Sequence, residues 1–378
     1  MKDIGLYIHI PFCSSRCYYC NFFSSTNLNI IDKYVDAVCL EILQNAEILS
    51  EYTVSTVYFG GGTPSLIDAK YIERIMETIK LFNCNIKEAT IEINPGTVTI
   101  EKMSMYKKVG INRVSIGLQS THDEVLKSIG RSHTYSDFLS ALKIVKKAGI
   151  ENVSIDVMYP LPRLNFVKFK DTIEKIISLK DEYNIKHISV YNLEIHEGSK
   201  LDFLLKEKFL ELVDEDEEYK MKEYLENILE INGLKRYEIS NFANINYESK
   251  HNLKYWNQDE YIGIGASASS FFAGTRYTNV SNLDKYINSI FENNSVIVEK
   301  EELDKMALMK EYMILKLRLL SGVSIKEFKK RFSVDLMDIF NIEIKKLTAE
   351  KLIYLNDSHI ILSPRGKEVA NVVWQEFV

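Results

Sequence analysis

The chain has 378 residues, of which 46% are hydrophobic and 26% are charged, and its formal net charge is −6. This composition is ordinary for a folded globular protein, and the length suits two or three domains with a large core. A mildly acidic chain has no electrostatic attraction for nucleic acid, so the composition argues against a nucleic-acid-binding protein.

The first ten residues, MKDIGLYIHI, do not resemble a targeting signal, because a basic region followed by a long apolar stretch is missing. No apolar run approaches the about 20 residues that span a bilayer. We therefore expect a cytoplasmic protein, which could still associate peripherally with a membrane.

Short β-branched runs alternate with amphipathic helical patterns from residue 6 to residue 239. The predicted strands are 6–10, 56–59, 89–93, 114–118, 153–157, 188–193 and 237–239. The predicted helices are 31–49, 70–82, 101–109, 135–148, 166–179 and 215–231. Such alternation indicates an α/β fold with a parallel sheet. It predicts a full or partial (β/α) barrel, with an open doubly wound sheet as the alternative.

A smaller unit is predicted from residue 303, with helices at 305–320, 325–331 and 336–350, a hairpin at 352–362 and a last helix from Pro364. This order indicates a winged-helix-like module. From residue 301 onward the 13 Lys/Arg and 12 Asp/Glu are balanced. That balance argues against DNA binding and favours a packing or substrate-covering role. The predicted units are thus 1–242 (partial barrel), 243–302 (connecting segment) and 303–378 (module).

Three cysteines, Cys13, Cys17 and Cys20, fall within eight residues in a C-x3-C-x2-C spacing. Zinc sites usually take four ligands, often from two separated cysteine pairs, and a second pair is missing here. Most cubane clusters take four thiolates, so three thiolates would leave one iron open to a substrate or cofactor. The spacing therefore predicts a [4Fe–4S] cluster with an open coordination site.

Polar residues and glycines follow the next predicted strands. These segments are Gly60–Pro64, Glu92–Pro95, Ser115–Gln119, Gly130–His133 and Asp156. Barrel enzymes build their sites at the C-terminal ends of the strands, so we expect these segments to share one site. Each also has a plainer interpretation when taken alone, such as a tight turn for the glycines or a helix N-cap after Glu92.

Taken together, these residue types suit one ligand. Glu92 and Arg131 can pair with an α-ammonium and an α-carboxylate group, since arginine matches a carboxylate with two parallel hydrogen bonds. Gln119 and Asp156 can bind ribose hydroxyls. The expected ligand is an amino acid joined to a nucleoside that chelates the open iron, which describes S-adenosylmethionine (SAM).

These motifs, together with the YIHIPFC segment at 7–13, resemble the coproporphyrinogen III oxidase-like branch of the radical SAM superfamily over roughly the whole chain. The resemblance implies a partial (β/α) barrel of the radical SAM type. It assigns the following residues to the SAM site: Tyr7, Gly61, Gly62, Thr63, Glu92, Gln119, Arg131 and Asp156.

Two subfamilies of this branch compete. The oxygen-independent coproporphyrinogen III dehydrogenases decarboxylate two propionates, and they carry an extra N-terminal segment and a further cysteine two residues after the third. Here only six residues precede Tyr7, and Phe22 stands at the position of that cysteine. Both departures favour the other subfamily, the haem chaperones, and leave the dehydrogenase as the alternative.

The segment His251–Trp256, HNLKYW, resembles the H-N-x-x-Y-W motif of the chaperone subfamily. A neutral imidazole is a good axial haem ligand, and Tyr255 and Trp256 could cover a porphyrin face, so His251 is a candidate haem ligand. A histidine that caps a turn, with both aromatics in the core, is an equal alternative.

The resemblance also implies partners. They are haem and acceptor haem proteins, which could include membrane respiratory enzymes. If SAM is cleaved, an electron donor such as a flavodoxin or ferredoxin is implied as well.

Overall fold

The computed structural model describes residues 2–378, in which twelve strands form one large sheet. Its centre consists of six parallel strands that neighbour one another in chain order. They are β1 (Asp3–Ile10), β2 (Thr53–Gly61), β3 (Cys84–Ile93), β4 (Arg113–Gln119), β5 (Asn152–Tyr159) and β6 (Ile185–Asn192).

Helices connect consecutive central strands and cover the outer face of the sheet. They are α1 (Ile31–Gln44), α2 (Ala46–Glu51), α3 (Ala69–Ile79), α4 (Ile100–Val109), α5 (Asp123–Ser128), α6 (Tyr135–Lys147) and α7 (Phe166–Leu179). After β6 come α8 (Lys200–Lys206) and α9 (Glu215–Ile231), and two short 3-10 helices lie at Leu28–Ile30 and Pro64–Leu66.

The predicted helix over 31–49 is wrong at Asn45, where the chain leaves α1 with φ −87° and ψ 14° before α2 begins. The Asn45 side chain donates a hydrogen bond to the carbonyl oxygen of Glu41 at 2.8 Å. Asparagine side chains compete in this way for backbone partners and favour helix ends.

Residues 235–302 extend the sheet at both edges. On the β6 side lie β7 (Lys235–Arg236) and β8 (Asn241–Ala243), and β8 is followed by α10 (Lys250–Trp256). On the β1 side lie β9 (Tyr261–Ile264), β10 (Ser269–Phe272), β11 (Thr275–Asn279) and β12 (Ile297–Glu302), with α11 (Leu283–Phe291) before the last. β9 is parallel to β1, so the segment predicted as a connector carries strands of the main sheet.

The predicted strand over 237–239 is wrong, because these residues form the turn between β7 and β8. The buried carboxylate of Glu238 accepts the backbone N–H of Ser240 at 2.8 Å. A carboxylate that satisfies a backbone donor two residues later stabilises a turn in place of a strand.

The C-terminal residues form a module with its own hydrophobic core. Its elements are α12 (Lys305–Lys316), β13 (Val323–Ser324), α13 (Ile325–Phe332), α14 (Leu336–Ala349), β14 (Ile353–Leu355), β15 (His359–Leu362), α15 (Pro364–Glu368) and α16 (Ala370–Gln375). The three strands form an antiparallel sheet in the order β13-β15-β14. The predicted fold class, a partial (β/α) barrel with a small α+β module, is confirmed.

No helix among residues 2–378 has the length and apolar character that crossing a membrane requires.

Central strands alternate between an apolar outer face and a polar inner face. In β4, Ile116 and Leu118 belong to the hydrophobic core, whereas Gly117 and Gln119 line an internal cavity. Successive side chains of a strand point to opposite sides, so one set packs under the helices and the other faces the barrel interior. This alternation leaves the interior free for polar chemistry.

A buried carboxylate joins α1 to the edge of the sheet. Glu41 accepts hydrogen bonds from the Gly265 backbone N–H at 2.7 Å, the Asn279 side-chain amide at 2.7 Å and the Tyr286 hydroxyl at 2.6 Å. Burial raises the pKa of Glu41, while the three donors oppose the increase. Because the donors come from three separate segments, one side chain holds the β9–β11 region against the barrel.

Replacing this carboxylate should therefore destabilise the fold. Glu41→Ala leaves three buried donors without an acceptor, and we expect the free energy of unfolding to fall by about 3–5 kcal/mol in urea titrations. The control is Glu47→Ala on α2, an exposed glutamate, which should change it by less than about 0.5 kcal/mol. Equal losses of unfolding free energy in the two variants would contradict the conclusion that Glu41 holds the β9–β11 region against the barrel.

Candidate functional site

A cavity of about 570 Å³ opens at the C-terminal ends of the central strands, and we call it the rim cavity. Parallel strands bring these ends to one edge, so residues distant in sequence meet there. Ten of the predicted site residues line it: Cys13, Cys17, Cys20, Gly61, Gly62, Thr63, Glu92, Gln119, Arg131 and Asp156.

The three cysteines lie on a loop after β1, and each is a half-buried free thiol. Burial raises the pKa of the Cys13 and Cys20 thiols. Within residues 2–378 no three His, Cys, Asp or Glu side chains converge on one metal position. All three cysteines line the rim cavity, where each thiolate could bind a different iron of a cubane.

The glycine loop after β2 packs against the cysteine loop. The Gly62 N–H donates to the Ile10 carbonyl at 2.9 Å, and a Cβ on Gly62 would lie 2.8 Å from the Phe12 carbonyl oxygen. Gly61 has φ +108°, and a Cβ there would lie 2.5 Å from the His9 ring. These glycines are required by the close contact of this loop with the end of β1 and with Phe12 of the cysteine loop, before any ligand is considered.

Two carboxylates line the rim cavity. Glu92 accepts a hydrogen bond from the Tyr58 hydroxyl at 2.9 Å, and burial, with the nearby charge of Asp156, raises the pKa of Glu92 to about 7. Asp156 accepts from the Ser115 hydroxyl at 3.1 Å, and burial raises the pKa of Asp156 too. A cationic ligand would favour the ionised form of both groups.

Arg131 and Gln119 bring unused hydrogen-bonding atoms to the same cavity. The Arg131 Nη2 donates to the Gly117 carbonyl at 2.5 Å and to Asn94 Oδ1 at 3.0 Å, while Nη1 lies 3.7 Å from the Cys17 sulfur. Arg131 Nε and Gln119 Oε1 are buried without a partner. Buried polar atoms without partners are costly. A ligand carrying a cation, an anion and hydroxyls, such as SAM, therefore fits these residues.

A second cavity, of about 470 Å³, lies beside the first, and both are lined by Asn21 and Phe22. We call it the aromatic cavity, because most of its large side chains are aromatic. They are Tyr7, Phe22, Phe23, Tyr255, Trp256, Tyr261 and Phe271.

Tyr7, which the resemblance assigned to the SAM site, lines the aromatic cavity and not the rim cavity. Its hydroxyl lies 3.0 Å from His9 Nδ1. His9 Nε2 lies 3.0 Å from the Phe23 carbonyl, so Nε2 carries the proton and Nδ1 accepts from Tyr7. Burial lowers the pKa of His9 to about 4, so this ring is neutral at pH 7.

His251 is fully buried and lines neither cavity. Its Nδ1 lies 2.9 Å from the Thr56 hydroxyl, and its Nε2 lies 2.7 Å from the Tyr255 hydroxyl. Burial lowers the pKa of His251 to about 3. Both ring nitrogens are therefore engaged, and it is Tyr255 and Trp256 of the same motif that reach the aromatic cavity.

Sequence reasoning missed the far wall of the aromatic cavity. Tyr261, Phe271 and Arg276 are cross-strand neighbours on β9, β10 and β11, and Glu311 comes from α12 of the C-terminal module. Strands of four or five residues give too short an alternation to recognise, and pairing in register is a tertiary property.

Comparison with known proteins agrees with this architecture. Residues 7–176 match the family model of the radical SAM superfamily, and residues 303–369 match the HemN C-terminal domain. The heme chaperone HemW of Lactococcus lactis is 35% identical, covering 100% of this chain and 98% of that protein. The chain belongs to the HemW family. The Bacillus subtilis HemW is 32% identical, with 98% of each chain covered.

The fold is shared with a solved enzyme structure. Coproporphyrinogen III oxidase (HemN) from Escherichia coli, a radical SAM enzyme, superimposes with a TM-score of 0.86. The match covers 100% of this chain and 90% of the other, at 21% identity. At that identity the likeness establishes the fold and leaves the activity to be argued from the site.

The raised pKa of Glu92 predicts a pH-dependent stability. A carboxyl whose pKa is higher in the folded state contributes stability below about pH 4.5 that is lost as the pH rises through about 7. The free energy of unfolding of the wild type, relative to Glu92→Gln, should therefore fall by roughly 1–3 kcal/mol between pH 4.5 and pH 8.

Urea titrations at several pH values measure this difference. The exposed Glu77→Gln serves as the control for loss of a carboxylate. If the free energies of unfolding of Glu92→Gln and the wild type change in parallel with pH, Glu92 titrates at its ordinary pKa.

Proposed function

We propose that this chain is a haem chaperone that holds haem in the aromatic cavity and passes it to an acceptor haem protein. The observation that carries the proposal is the aromatic cavity itself, to which the HNLKYW segment supplies Tyr255 and Trp256. The curated relatives in the HemW family are named as heme chaperones, which supports the same function.

The aromatic cavity offers the side-chain chemistry that suits a porphyrin. Its volume of about 470 Å³ lies in the range of cofactor pockets. Flat aromatic rings bury a large apolar area and stack against a porphyrin face. The indole Nε1 of Trp256 and the Oε1 of Gln258, two residues that line this cavity, are buried without hydrogen-bond partners. These atoms would be satisfied by polar groups of a bound ligand.

In this proposal His251 is a positioning residue for haem. Its ring holds the Tyr255 hydroxyl at 2.7 Å from one side and contacts Thr56 on the other. To bind iron directly, the ring would have to break one of these hydrogen bonds and leave a buried site. Haem therefore lies near His251, against the tyrosine that His251 orients.

For the rim cavity we propose a [4Fe–4S] cluster on Cys13, Cys17 and Cys20, with SAM beside it. The residues proposed for SAM are Gly61, Gly62, Thr63, Glu92, Gln119, Arg131 and Asp156 of this cavity, together with Tyr7, which lies close to Glu92. When bound, the cluster supplies an open iron that anchors the amino-acid end of SAM. Glu92 would pair with the ammonium group, and the unpartnered Nε–H of Arg131 would donate to the carboxylate.

Phe22 argues for the chaperone over the dehydrogenase. Its side chain stands between the two cavities and is 66% exposed. The dehydrogenases carry a cysteine at this position, so the chain has an apolar wall where those enzymes have a thiol. Protoporphyrinogen formed on anaerobic incubation with coproporphyrinogen, SAM and a reductant would overturn the chaperone proposal.

The proposed partners follow from the function. Acceptor haem proteins, which could include membrane respiratory enzymes, would dock at the aromatic cavity of a cytoplasmic or peripherally bound chaperone. A flavodoxin or ferredoxin would be needed only if SAM is cleaved.

Removing the tryptophan that lines the aromatic cavity should weaken haem binding. For Trp256→Ala we expect the dissociation constant of haem to rise about ten- to hundredfold in a Soret titration, since burying a large apolar side chain contributes roughly 1.5–3 kcal/mol. Trp374→Ala is the control, because Trp374 stacks on the same Arg318 guanidinium but lies outside the cavity. Equal weakening by both variants would contradict the proposed location of haem.

The positioning role of His251 has its own test. We expect His251→Ala to weaken haem binding about three- to tenfold and to leave the Soret maximum of bound haem in place, because His251 does not bind the iron in this proposal. His187→Ala is the matched control, since His187 is equally buried and lies between the Ser154 and Tyr237 hydroxyls at 2.8 and 2.9 Å. A displaced Soret maximum in His251→Ala alone would show that His251 binds the iron.

A further inference from the structure

The aromatic cavity contains one ion pair. Among the described residues that line it, Arg276 has the only positive side chain and Glu311 the only negative one, since the ring of His9 is neutral. The two form a salt bridge with each other. Arg276 lies on β11 of the main sheet and Glu311 on α12 of the C-terminal module, so the pair joins two parts of the molecule across the cavity.

Arg276 stands at the end of a row of aromatic side chains. In the sheet register it faces Phe271 on β10, and Phe271 faces Tyr261 on β9. The Arg276 side chain is 44% exposed, so a ligand can reach it. A flat ligand against these rings would place a peripheral acidic group at the guanidinium, which binds a carboxylate through two parallel hydrogen bonds.

Glu311 is held in place from a second direction. The Gln258 side-chain amide donates to the Glu311 carboxylate at 3.1 Å and to the Leu308 carbonyl at 3.1 Å. Lys316, also on α12, donates to the Asn257 side chain at 2.9 Å. The residues that directly follow Trp256 therefore hold α12, and α12 presents its carboxylate to Arg276.

We propose that Arg276 is the binding site for one propionate of haem, and that Glu311 is the internal carboxylate that this propionate replaces. The inference rests on the proposed haem-binding function and adds the residue that recognises the acidic edge of the porphyrin. The Arg276 guanidinium exchanges one carboxylate for another, so it is paired both before and after haem binds. The cost of leaving its positive charge unpaired is thereby avoided.

The exchange has a consequence for the C-terminal module. Haem binding removes one of the contacts that hold α12 to the barrel, while the bonds from Asn257 and Gln258 remain. If haem binds better when the Arg276–Glu311 salt bridge is broken, then bound haem must favour the state in which it is broken, because coupling between two sites is reciprocal. The module would thus respond to the loading of haem.

The test compares haem with haem dimethyl ester, whose propionates are esterified and uncharged. Both ligands are titrated by Soret absorbance into the full-length wild type, Arg276→Gln, Glu311→Gln and the double variant. The control is Glu302→Gln on β12, an exposed carboxylate paired with Lys300 that does not line the cavity. Melting temperatures identify any variant that fails to fold.

For haem we expect Glu311→Gln to bind about threefold more tightly and Arg276→Gln about three- to tenfold more weakly. In the Arg276→Gln background the second substitution should have no effect, because Glu311 acts only by competing for the guanidinium. The dimethyl ester should bind all variants alike, and Glu302→Gln should match the wild type.

Three results distinguish the proposed function, the propionate site and the carboxylate exchange. If haem does not bind the wild type, the proposed function fails. If haem binds but its affinity is unchanged by Arg276→Gln and by esterification, the function stands and the propionate site is wrong. If Glu311→Gln tightens binding equally with and without Arg276, simple charge repulsion acts and the exchange is overturned.

Discussion

The carboxylate of Glu88, buried on β3, fixes the helix on which the functional surfaces depend. It accepts hydrogen bonds from the backbone N–H groups of Lys250 and His251 at 3.0 and 3.1 Å, the first two residues of α10. A carboxylate at the start of a helix satisfies donors that have no partner inside the helix and is also attracted by the helix dipole. The buried Arg113 guanidinium lies near enough to Glu88 to compensate its charge.

The position of α10 then determines three contacts. Its first turn brings His251 against Thr56, and its last turn brings Tyr255 and Trp256 to the aromatic cavity. The residues after it hold the C-terminal module through Gln258. Loss of the Glu88 contact would therefore disturb the aromatic cavity and the docking of the module together.

The two cavities follow from how a helix-covered parallel sheet uses its faces. Helices bury the outer face, so apolar side chains are needed there, while the inner face can carry polar groups that satisfy one another or a ligand. Glu92 and Asp156 belong to this inner set, and Phe22 separates their cavity from the aromatic one. HemN shares the fold at 21% identity, so the architecture alone does not distinguish the proposed carrier from a radical SAM enzyme, and the side chains of the two cavities must.

The sequence by itself determined the parallel α/β fold, the cysteine loop and the set of residues at the rim. Each can be recognised from a local pattern: the alternation of strands and helices, the C-x3-C-x2-C spacing, and the polar residues that follow the strands. Only the tertiary structure decided that Tyr7 lies on the aromatic side, that both nitrogens of His251 are engaged, and that Arg276 meets Glu311. These facts depend on β9 pairing with β1 and on the C-terminal module docking beside α10. Such contacts join residues far apart in the chain, and no local pattern encodes which of them will meet.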